Sequence, residues 1–94
     1  MSMIREPLPR EQRVEAIRSR LQAAFAPTEL EVIDDSHHHI GHEGARDGRG
    51  HYRVRVVSAA FAGMPPVARH RAVYAALDDL MRTEIHALSI QASD

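Results

Sequence analysis

The 94-residue chain contains no cysteine and no lysine. Without cysteine there is no disulfide framework, no thiol nucleophile and no cluster held by the chain's own thiolates. Any metal it holds must be taken by His, Asp or Glu. Its basic residues are all arginine, a bias that suits bidentate contacts but equally reflects codon usage, so it carries no functional weight. Long apolar runs are missing too. The opening MSMIREPLPREQ offers no signal-peptide core, and nothing approaches the ~20 residues of a membrane span. Glu6, Glu11 and Glu15 interrupt the arginines between Arg5 and Arg20, which argues against an organelle transit peptide. A soluble, cytoplasmic protein with no membrane partner is the default expectation. A formal net charge of -1 gives no global attraction to phosphate, so nucleic-acid binding would need a local basic patch. Enzyme signatures are equally absent: no GxSxG, no GxxxxGK[ST] and no HExxH, and Ser36 beside His37 is too little for a nucleophile and base. The chain is expected not to be an enzyme.

What is present reads as one α+β domain over residues 1–94, with residues 1–9 as an N-terminal extension. Val14, Ile17, Leu21, Ala24 and Phe25 recur three and four apart between Pro9 and Pro27, predicting an amphipathic helix. Leu30–Ile33 predicts a short strand. HYRVRVVS predicts a second, with Tyr52, Val54 and Val56 alternating against Arg53, Arg55 and Val57. After a turn or short helix at Phe61-Ala62-Gly63, Pro65-Pro66 opens a second long helix. Its buried stripe is Val67, His70, Val73, Tyr74, Leu77, Leu80 and Met81, which places His70 on the core side. A last strand runs from Ile85 to Ala92, and strict alternation puts His86 with Leu88 and Ile90. The order predicts an antiparallel pair, then a right-handed crossover to a parallel third strand. The sheet is three-stranded and mixed, with helices on one face.

Between the first two strands lies a His/Gly-rich loop, residues 35–50, in the stretch DSHHHIGHEGARDGRGH. A loop this long in a small domain is functional or disordered more often than ordinary. His37, His38, His39 and His42 could bind a divalent metal, act as a pH switch through mutual repulsion of protons, or form a solvated loop. Spacing alone leaves all three open, because a flexible cluster lacks the partners that orient rings. His70, between Arg69 and Arg71, reads as a hydrogen-bonded core histidine rather than a general base.

Three segments resemble the BolA-like family: FAGMPPVARHRAVYAAL, IHALSIQA, and LEVIDDS leading through the loop to HYRVRVVS. The similarity covers about residues 12 to 92. It implies a class II KH-like αββαβ sandwich and a role in iron–sulfur biology. The family pairs with monothiol glutaredoxins and shares a 2Fe–2S cluster, the partner's thiolate and glutathione supplying sulfur ligands. Carried onto this sequence, the cofactor-binding and metal-ligating residues are His86 of IHAL and His39 of the loop. His37, His38 and His42 leave the loop ligand ambiguous; His51, at the start of the second strand, is another nearby candidate ligand but reads as structural. No cluster is expected to bind tightly to the isolated chain, which would be a monomer or weak dimer. Arg69 and Arg71 would help form a partner surface, with His70 bracing the helix.

Many family members continue into a tail helix, whereas this sequence stops at Gln91-Ala92-Ser93-Asp94. The family is also linked to transcriptional regulation, so a DNA-binding regulator using the long helix with Arg69 and Arg71 is the rival reading. The GxxG loop that clamps RNA in KH domains is missing, and Gly63-Met64-Pro65-Pro66 cannot replace it. A third reading is a stand-alone metal buffer built from the loop histidines.

Overall fold

A computed structural model describes residues 8–36 and 49–94. The chain runs α1 (Arg10–Phe25), β1 (Glu29–Asp34), β2 (Gly50–Val57), a 3₁₀ turn (Ala59–Phe61), α2 (Pro66–Ala76), α3 (Asp78–Thr83) and β3 (Ile85–Ser93). The sheet order is β1-β2-β3, with β1 antiparallel and β3 parallel to the central β2. This is the mixed α+β arrangement expected from the sequence. The expected N-terminal extension falls mostly outside the described residues.

Period-two alternation in β2 sorts the sheet into two faces. Tyr52, Val54 and Val56 are buried and stand opposite Val32 and Leu30 on β1 and Leu88, Ile90 and Ala92 on β3. Ile17 and Leu21, one helical turn apart on α1, close over this face together with Phe61, Val73, Leu77, Leu80 and Ile85. The other face is polar: Arg53 and Arg55 stand opposite Ile33 and Glu31, and Arg55 pairs with Glu29 at 3.5 Å.

The second helix departs from expectation in two ways. It is not one helix: Leu77, at φ -106 and ψ 14, separates α2 from α3. Its buried stripe is also rotated. Arg69, Ala72, Val73, Ala76, Leu77 and Leu80 face inward, while His70 is exposed and Val67 and Tyr74 are 61% and 41% accessible. Small alanines at 72 and 76 lie on the packed side, where size-based patterning gives them little weight. The reading of His70 as a core histidine is therefore corrected. Arg69 is corrected in the opposite sense. It donates to the Met64 carbonyl at 2.8 Å, the Ala92 carbonyl at 3.2 Å and Asp94 at 3.0 Å, tying the turn before α2 to the end of β3. Those donors are spent within the fold rather than on a partner surface.

Turn chemistry is economical. Pro27 stops α1 as expected, and Ala26 takes the left-handed conformation at its end (φ 44), a geometry that disfavours a side-chain-bearing residue by about 1 kcal/mol. The buried Ser58 hydroxyl donates to the Phe25 carbonyl at 2.6 Å and accepts from the Ala60 N–H at 3.1 Å, joining α1 to the 3₁₀ turn. Gly63, at φ 78, supplies the positive dihedral that reverses the chain towards α2.

One buried charge anchors the opposite end of the sheet. Glu84, fully buried just before β3, accepts from the Leu8 N–H at 2.7 Å and the Thr83 hydroxyl, and pairs with Arg13 at 3.4 Å. Its carbonyl accepts from the Gly50 N–H at 2.8 Å. Removing one member of a buried pair leaves the other charge uncompensated, at a cost of roughly 3 kcal/mol. Glu84→Gln should accordingly lower the urea-unfolding free energy by about that amount. Much of the loss should return in an Arg13→Met/Glu84→Leu double variant, which removes both charges.

Candidate functional site

β2 and β3 are parallel and β1 antiparallel to them, so β1 ends where the other two strands begin. The roots of the His/Gly-rich loop, Ser36 and Arg49, therefore stand at the same end of the sheet as His51 and His86. His37, His38, His39 and His42 lie outside the described residues. The expected ligand His39 thus has no structural placement, while His86 does.

His86 owes its position to a bulge. Gly50 pairs with Ile85 but His51 pairs with Ala87, so β3 holds one residue more than β2 over this step. A bulge breaks alternation and re-aims one side chain. Ile85 and Leu88 both stay on the covered side, and His86 becomes exposed instead of sharing their burial. Its ring centroid lies 5.3 Å from that of His51, with the rings inclined at 45°. His51 occupies the open face of β2 and is half-buried. The sequence offers His51 as a nearby candidate ligand but favours a structural role for it, and does not pair it with His86. The available signal was the parallel register of the HYRV and IHAL segments, but the extra residue that brings the rings together is invisible in the alternation.

The His51 backbone is held from both sides. Its N–H donates to the Ser36 hydroxyl at 3.0 Å, and its carbonyl accepts from the Asp35 N–H at 2.8 Å. The Ser36 N–H donates to Asp34, which also takes the Arg10 guanidinium at 3.2 Å. A polar chain thus runs from the start of α1 to His51. Gly50 is required beside it: a Cβ there would lie 2.6 Å from the Ser36 hydroxyl and 2.7 Å from the Tyr52 hydroxyl. Burial raises the Tyr52 phenol above its ordinary value, with Arg13 working against that rise.

On the other flank, Arg49 donates to the Met81 carbonyl at 3.2 Å and approaches His86 Nδ1 at 3.4 Å. A guanidinium has only donors, so this contact is a hydrogen bond only where Nδ1 carries a lone pair. Asp35 pairs with Arg53 at 3.1 Å, and together with His51, Ala87 and Ser89 they line an open depression of about 410 Å³ on the polar face. Among the described residues no three His, Asp or Glu side chains gather as a metal cage. The described part of the site offers the imidazoles of His51 and His86 as nitrogen ligands. Also among the described residues, no helix is long and apolar enough to cross a membrane.

The sequence model described as BolA-like protein matches residues 21–94. An uncharacterised protein from the cobS 5' region of a Sinorhizobium species is 49% identical over 79 residues, covering 82% of this chain and 85% of that one. The Vibrio cholerae protein named DNA-binding transcriptional regulator BolA is 42% identical over 76 residues, covering 81% and 69%. The solved BolA domain of SufE1 from Arabidopsis thaliana superposes with a TM-score of 0.76 at 41% identity, covering 92% of this chain and 93% of that domain. The chain spans 22% of the curated Arabidopsis SufE-like protein 1 and about half of several other curated relatives.

Burial acts to raise the Asp34 carboxyl, but the Ser36 hydroxyl and N–H and the Arg10 guanidinium outweigh it and hold the group below its ordinary value of 3.8. A carboxylate depressed in the folded state stabilises the fold fully above its unfolded value, and that contribution is lost as pH falls through the folded value. Asp34→Asn should therefore be less stable than wild type at pH 7, with the difference shrinking below about pH 4, as read from urea midpoints across a pH series.

Proposed function

Because the chain belongs to the BolA-like protein family, we propose that it is a non-enzymatic adaptor that pairs with a monothiol glutaredoxin and co-ligates a shared 2Fe–2S cluster through histidine. Its place is in iron–sulfur trafficking or iron and redox regulation. The family is associated with iron–sulfur trafficking, and its members include a BolA domain within a SufE protein. The observation that carries the reading is the exposed His86 imidazole, held on a strand bulge at the end of the sheet from which the histidine loop departs. A chain without cysteine can join such a cluster only through nitrogen or oxygen. The cluster's sulfur ligands, one thiolate from the glutaredoxin and one from glutathione, are the partner's share. The loop ligand is His39, with His37, His38 and His42 as neighbouring alternatives. Imidazole ligation raises a cluster's potential relative to all-thiolate ligation and couples its binding to pH.

Reconstitution of the cluster with a monothiol glutaredoxin and glutathione tests this directly. Wild type should give a heterocomplex with visible absorption and circular dichroism distinct from the glutaredoxin homodimer. His86→Ala should lose that signature and His39→Ala should change it. Unchanged heterocomplex spectra in both variants would sink the ligand assignment.

The regulator reading rests on the name of the Vibrio relative and on the exposed His70 and Arg71 of α2. With Arg69 engaged inside the fold, its basic patch is small. Gel shifts without partner across a salt series should show no retained complex near 0.15 M salt. Binding that falls steeply with salt and disappears in Arg71→Ala would favour the regulator instead.

A further inference from the structure

We propose that His51 and His86 together form a two-imidazole chelate for one divalent transition-metal ion of the zinc, nickel or copper class, on the isolated chain and without the loop histidines. Neither glutaredoxin nor an iron–sulfur cluster is needed for it. The ring separation is that of a chelate. Two imidazoles on one tetrahedral ion, with metal–nitrogen bonds of about 2.0–2.1 Å, hold their ring centroids about 5.2 Å apart. Those of His51 and His86 are 5.3 Å apart, inclined at 45°. Both rings sit on hydrogen-bonded strand backbone. His51 is pinned by the Ser36 hydroxyl and the Asp35 N–H, and His86 is projected by the bulge between Ile85 and Ala87. Little conformational entropy is lost when two rings already held at chelating distance take up an ion. Water completes the coordination, as in an open metal site with few protein ligands.

Arg49 is the local competitor. Its guanidinium approaches His86 Nδ1 at 3.4 Å, placing a positive charge and a donor where a metal would need a lone pair. An ion at this site displaces that contact, so removing the guanidinium favours the metal. Imidazole binds these ions in the order Zn below Cu and Ni below Cu, so copper should bind most tightly.

The decisive chain is the full-length protein with His37, His38, His39 and His42 all replaced by Ser, folded as judged by its circular dichroism. Titrated with Co(II) as the spectroscopic probe and with Zn(II) and Ni(II) by calorimetry, it should retain one equivalent of metal. Adding either His51→Asn or His86→Ala should weaken that binding at least tenfold, and Arg49→Gln should strengthen it. The Nε2 and Nδ1 resonances of both rings should shift with the first equivalent of Zn(II) and with no later one. Loss of all binding in the loop variant, or binding that persists in the loop variant with His51→Asn, overturns the proposal. Because no glutaredoxin is present, failure here leaves the cluster reading standing, and failure of cluster reconstitution leaves this one standing.

Discussion

The buried Glu84 carboxylate sets the geometry of the sheet end on which the candidate site stands. Its side chain takes Arg13 and the Leu8 N–H, joining the start of α1 to the start of β3, and its main-chain carbonyl takes the Gly50 N–H, joining β3 to β2. A fully buried carboxylate is tolerated only when its lone pairs are met and its charge is compensated, and here three donors do so. The consequence reaches the site because Glu84 lies two residues before His86. Residue 84 is fixed against α1 and β2, and the register shift that follows it leaves the His86 side chain exposed.

Much of this was legible in the sequence, for identifiable reasons. The alternation of Tyr52, Val54 and Val56 and the three-and-four spacing of Ile17 and Leu21 report burial directly, because each residue's face follows from its period alone. The mixed topology followed from element order. Three features escaped. Glu84 is charged, and no pattern of residue types marks a charge as buried when its partners lie 71 and 76 residues away at Arg13 and Leu8. The stripe on α2 was misplaced because Val67 and Tyr74 are large and apolar, whereas Ala72 and Ala76, which lie on the packed side, are small. The position of His86 depends on a register shift, a property of the pairing of two strands that neither strand carries by itself. The loop ligand could be read only by resemblance, and His39 falls outside the described residues.

The arginine series shows how the same residue type is divided between scaffold and surface. Arg13 neutralises Glu84. Arg20 reaches from α1 to Asp79 of α3 in a bidentate pair that raises its own pKa. Arg69 ties the turn before α2 to the end of β3. Each uses the planar fork to meet more than one acceptor or a carboxylate side-on, which an ammonium point charge would do less well. A sequence count of basic residues therefore overstates what the chain can offer to phosphate, and Arg71 is the exposed basic residue left on α2 from the RHR segment.

The absence of cysteine and the pairing of His51 with His86 bear together on how such a site works. Imidazoles are neutral ligands that must give up or withhold a proton to bind, and Arg49 adds a competing donor at His86. On the proposed function, such a half-site gains strength when charged sulfur ligands arrive with a partner, since thiolates provide the anionic donors that neutral rings lack. His86 is shared between the two arrangements argued above. Under the two proposals it either closes a chelate with His51, 5.3 Å away, or ligates a cluster carried by another protein, and one ring cannot serve both at once. If both proposals hold, occupation of the His51 chelate and capture of a cluster are mutually exclusive, and free divalent metal competes with a cluster-bearing partner for His86.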